Sequence, residues 1–107
     1  MDTKFIDAMA GFMATDLQRI EVKGLPPFYV GPMTIKQASD IQAETDEMVR
    51  IARHFQVRAK DENGKLCVPP GLEFDKFCKK ADINVIAEAV GAIDKALDSS
   101  EAQASKN

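Results

Sequence analysis

Apolar residues recur along the first segment at Phe5, Met9, Phe12 and Met13, spaced i, i+4, i+7 and i+8. That spacing predicts one face of an α-helix, with Asp2 or Thr3 placed to cap its start. The period then shortens. Ile20 and Val22 alternate with Arg19, Glu21 and Lys23, which predicts a strand. Gly24-Leu25-Pro26-Pro27 breaks the chain, and the aromatic and β-branched run Phe28-Tyr29-Val30 predicts a second strand. The two form a β-hairpin with a loop of about five residues. A hairpin needs packing or a further strand to be stable. Leu66-Cys67-Val68 is a candidate for that strand, and a second protomer or a partner could supply it instead.

Thr34-Ile35-Lys36-Gln37 fits the T-x-x-Q capping box. It predicts the longest helix, over about residues 35–59, with an apolar stripe through Ile41, Met48, Ala52, Phe55 and Ala59. The polar stretch 40–47 predicts a bend or an exposed segment within it. Asn63-Gly64 predicts a tight turn, since both residues tolerate positive φ. After Pro69-Pro70-Gly71, a short helix carries Leu72, Phe74, Phe77 and Cys78. Asp82 caps a last helix whose stripe is Ile86, Val90, Ile93 and Leu97, with Ala89 and Ala96 beside it. From Asp98 the chain is polar and small without periodicity, which predicts a disordered tail. The expected fold is therefore α+β, mainly α. It has about four helices, a small β-hairpin after the first helix, one domain over residues 1–97 and a flexible tail over 98–107.

A length of 107 residues gives room for one domain and one modest core. The net charge of -3 excludes a strongly basic, histone-like chain. No run of 18 apolar residues occurs, so no transmembrane helix is expected. Asp2 and Asp7 interrupt what would otherwise suggest a signal peptide, so a cytoplasmic location is expected. Cys67 and Cys78 match neither a C-x-x-C motif nor a zinc half-site, and are expected to be reduced and packed.

Candidate chemistry is sparse. Arg50, His54 and Arg58 fall on one helical face with Arg53 beside them. This is either a phosphate-binding stripe or a solvated face paired with Asp46 and Glu47. The second reading is the stronger, because no aromatic residues accompany the arginines to stack bases. A His54–Cys67 dyad would lack an orienting third group. Asp61-Glu62-Asn63-Gly64 fails as a calcium loop, because its Gly and its twelfth residue, Leu72, do not fit. No catalytic, cofactor-binding or metal-binding residue is assigned, and no enzyme is expected. Two apolar faces are candidates for protein binding: Phe5, Met9, Phe12 and Met13, and Ile86, Val90, Ile93 and Leu97. One is expected to be core and the other interface. Met side chains suit an adaptable binding surface.

The order of segments carries a resemblance. Arg19-Ile20-Glu21-Val22 is followed by Pro27-Phe28-Tyr29-Val30-Gly31-Pro32-Met33-Thr34. A polar helix then ends in Val57-Arg58-Ala59-Lys60-Asp61-Glu62-Asn63-Gly64-Lys65. Over about residues 5–97 this resembles the tail assembly chaperones of long-tailed bacteriophages with non-contractile, siphovirus-type tails. The resemblance implies a late, non-enzymatic protein of the host-cell cytoplasm. It would bind the phage tape measure protein, keep it soluble and promote tail tube polymerisation around it. It would be oligomeric and absent from the mature virion. It also implies a longer form, made by -1 ribosomal frameshifting, that recruits the tail tube protein. Ser105-Lys106-Asn107 is compatible with a slippery codon run at that point. The alternatives are a structural or adaptor protein that stays in a phage or bacterial assembly, and a helical nucleic-acid-binding module. The first reading expects neither nucleic acid nor membrane as a partner.

Overall fold

Period-two alternation and the aromatic run produce an antiparallel hairpin of β1 (Gln18–Ile20) and β2 (Phe28–Val30). The structure, a computed structural model, describes residues 3–8 and 17–105, with side chains described as far as residue 96. In the hairpin Ile20 opposes Phe28 and Gln18 opposes Val30. Ile20, Phe28 and Val30 are buried on the same face, as strand periodicity requires. Val22 falls outside the expected strand. Its carbonyl accepts from Leu25 N at 3.1 Å, so the chain is already turning there. The connection thus spans residues 21–27, longer than expected.

The third strand is also corrected. Lys60, just past the end of the helix that precedes it, covers the free edge of β2. Tyr29 N donates to Lys60 O and Lys60 N to Tyr29 O, both at 2.8 Å. Leu66 bridges to Lys60 in turn, so Leu66-Cys67-Val68 does not reach the hairpin. The turn between them places Leu66 there. Asp61 Oδ1 accepts from Asn63 N at 2.8 Å and Lys65 N at 3.0 Å. Gly64 sits at φ +83°, a conformation that glycine adopts without a steric penalty.

The helices are α1 (residues 4–8), α2 (Ile35–Ala43), α3 (Glu47–Arg58), α4 (Leu72–Lys80) and α5 (Ile83–Ser105). The single long helix expected over 35–59 is two helices. Asp46 ends the continuity, because its Oδ1 accepts from Met48 N at 2.9 Å and Val49 N at 3.1 Å and so caps α3. The polar residues before it provide no apolar face to hold the helix through this point. The capping box forms as expected: Gln37 N donates to Thr34 Oγ1 at 3.0 Å and Thr34 N to Gln37 Oε1 at 2.9 Å. The Gln37 side chain then donates to Val57 O at 2.9 Å, tying α2 back along α3. Asp82 caps α5 through Asn84 N and Val85 N. The backbone of α5 continues helical to Ser105, so no break marks the boundary expected near residue 97.

The core joins the hairpin face to α3 and α5 through Ile20, Phe28, Val30, Phe55, Ala59, Ile86, Ala89 and Ile93. Ala59 and Ala89 are fully buried, and their small side chains let α3 and α5 approach. Phe55 meets Phe28 edge-on at 5.2 Å and stacks on Phe77 of α4 at 5.6 Å, geometries that aromatic pairs favour. Burial of each such large apolar side chain contributes roughly 1.5–3 kcal/mol. No described helix is long and apolar enough to cross a membrane.

Candidate protein-binding face

The two candidate faces have different fates. On α5, Ile86 and Ile93 are 2% and 0% exposed. They pack against Ile20, Phe28 and Phe55, and Val90 packs beside them. One of the two faces was expected to be core: Ile86 and Ile93 are core, while Val90 is only partly buried. The Leu97 side chain lies outside the described residues. The other face begins in α1, where Phe5 is 88% and Ile6 64% exposed. Thr3 starts this helix, its carbonyl accepting from Asp7 N at 2.8 Å and its hydroxyl donating to Asp7 Oδ2 at 3.0 Å. Met9, Phe12 and Met13 lie outside the described residues. Phe5 is thus open to contact, whereas Ile86 and Ile93 of the α5 stripe are core.

An apolar groove that sequence reasoning missed runs between α3, α4 and the start of α5. It has a volume of about 140 Å³ and is lined by Met48, Val49, Ala52, Cys78, Ala81, Ile83 and Ile86. Met48 lies on the expected apolar stripe. It is exposed because α3 begins only at Glu47, which leaves Met48 in a first turn with little packed over it. Ile35 and Leu72 are exposed at helix starts for the same reason.

The arginine face is not a solvated stripe. Arg58 is 1% exposed, and its Nη2 donates to Gly31 O at 2.8 Å. Its Nη1 is buried without a hydrogen-bond partner. Burial lowers the Arg58 pKa from its ordinary value while Asp94 opposes the shift; the guanidinium nonetheless keeps its charge. Arg53 lies 3.8 Å over the Phe74 ring, with Nε to Glu44 Oε1 at 3.0 Å and Nη1 to Gln56 Oε1 at 2.9 Å. Gln56 is itself buried and passes the network on to Val68 O at 3.1 Å. Arg50 Nε donates to Glu44 O at 3.0 Å, not to the carboxylates of Asp46 or Glu47. Arg53 and Arg58 thus anchor α3 to its neighbours and present no phosphate-binding row. The i, i+4 spacing was visible in the sequence. The carbonyl at Gly31 that captures Arg58 is a long-range contact with no local signal.

Cys67 and Cys78 are free and exposed, which corrects the expectation that they are packed. Partial burial and Asp61 push the Cys67 thiol up, the opposite of an activated nucleophile. Cys78 is also raised, chiefly by burial. The backbone hydrogen bonds at Asp61 identify 61–65 as a turn. Among the described residues no group of three or more His, Cys, Asp or Glu is placed to hold a metal ion.

The chain matches no family model, and no curated protein or solved structure matches it at a significant level.

Proposed function

We propose that this chain is a tail assembly chaperone of a long-tailed, non-contractile phage. In this reading it binds the tape measure protein, keeps it soluble and promotes tube polymerisation around it. It works as several copies in the host cytoplasm and leaves before the virion is mature. A longer frameshifted form brings in the tail tube protein. The observation that carries this reading is the pair of adjacent large apolar side chains, Phe5 and Ile6, standing exposed at the start of the Met- and Phe-containing segment. Exposed apolar surface of this kind suits partner contact. The reading is also supported by the two sequence blocks behind the resemblance. They meet, since Tyr29 of one pairs with Lys60 of the other, and Arg58 joins them again at Gly31.

Mass spectrometry of purified particles tests the reading against that of a resident structural or adaptor protein. A chaperone is abundant in infected-cell lysate and missing from finished particles. Stoichiometric recovery in the particle would overturn the proposal.

A further inference from the structure

The centre of the core is the seam where Phe55 of α3 and Ala59, which caps its end, meet Ile86, Ala89 and Ile93 of α5. A polar cluster lies on the same seam. His54 and Arg58 are one turn apart on α3, and Asp94 follows Ile93 on α5. His54 Nε2 lies 3.9 Å from Asp94 Oδ1, too far for a hydrogen bond. That nitrogen is buried without a partner, as is Arg58 Nη1. The Asp94 side chain is 59% exposed, so water weakens its pull on both basic groups. Asp94 and Arg58 are the charges that act on His54. Lys36 and Asp40 of α2 pair with each other at 2.7 Å, and Glu73 pairs with Lys76 within α4 at 3.7 Å. A proton arriving on His54 therefore creates a second cation beside a buried guanidinium, with one solvated carboxylate to serve both.

We propose that the His54–Arg58–Asp94 cluster is a proton-operated release for the α3–α5 seam, in which protonation of His54 below neutral pH loosens α5 from α3. The direction follows from the site. Burial is the largest influence and lowers the His54 pKa from 6.5; Asp94 raises it in opposition, and Arg58 lowers it further. The closed seam thus binds the proton less readily than the opened one. Stability is level above about pH 6.5, falls as the pH drops through that value, and stops falling below the depressed value of the closed state. One proton limits the change to about tenfold in the opening constant per pH unit. The proposal does not depend on the functional reading above.

His54 is the chain's only histidine, so its imidazole gives a single signal to follow by NMR. The experiment titrates that signal in the wild type and in Asp94→Asn. It also measures hydrogen exchange at the amides of residues 86–93, corrected for intrinsic rate, at pH 7 and pH 5.5 in the wild type and in His54→Gln. The expected His54 midpoint lies below 6.5 and falls further in Asp94→Asn. The expected opening rises several-fold, up to about tenfold, on acidification of the wild type, and the rise is absent in His54→Gln. A midpoint at or above 6.5, or an equal rise in His54→Gln, overturns the proposal. Should His54→Gln not fold, the wild-type and Asp94→Asn midpoints decide it, because Asp94 is largely exposed and its amide leaves the packing in place.

Discussion

Arg58 shows why side-chain spacing does not disclose burial. It shares a helical face with Arg50, and nothing local distinguishes the two, yet Arg58 is buried against the Gly31 carbonyl and Arg50 is exposed. A buried guanidinium with an unpartnered nitrogen contributes less through its charge than through its volume and its one hydrogen bond. Arg58→Ala removes all three contributions and is expected to lower stability by about 2 kcal/mol. Arg58→Met keeps the stem and drops the charge, and is expected to lose far less. Urea unfolding of both variants checks this, and equal losses would contradict it. Phe28 is the apolar counterpart. It is 2% exposed and in edge contact with Phe55, so Phe28→Ala should cost about 3–5 kcal/mol, measured the same way.

At the scale of elements, the capping box at Thr34, the Asp82 cap, the turn at Asp61 and the α5 stripe were all legible, because each is written within a few consecutive residues. The division of residues 35–59 into α2 and α3 was only half legible. The polar stretch signalled a bend, but whether Asp46 continues a helix or caps a new one depends on α2 folding back, which Gln37 fixes twenty positions away at Val57. If Asp46 acts as a cap, Asp46→Ala should cost about 1 kcal/mol with little change in helical circular dichroism. An increase in helicity without loss of stability would mean that the two helices merge. The third strand was illegible for a related reason. A one-residue bridge at Lys60 has no periodicity to read, and it exists because α3 ends where β2 has a free edge.

For the molecule as a whole, the mainly helical α+β class followed from the pattern, whereas the division between core and surface did not. Two apolar stripes of similar quality competed, and Ile86 and Ile93 of the α5 stripe are core because the hairpin face and α3 both converge on them. Phe5 and Ile6 remain exposed, at the edge of a segment rich in Met and Phe. On the proposed reading, Met9→Asp or Phe12→Asp weakens capture of the partner, and folded stability measured alongside separates lost binding from lost structure. Unchanged binding and unchanged stability in both would remove that face. On the proposed reading, the most direct measurement is co-expression of this chain with a tape measure protein of a long-tailed, non-contractile phage, followed by quantification of that protein in the soluble fraction. The account predicts that the partner is insoluble alone, soluble with the chain, and insoluble again with Phe5→Asp/Ile6→Asp. Equal solubility with and without the chain would contradict it.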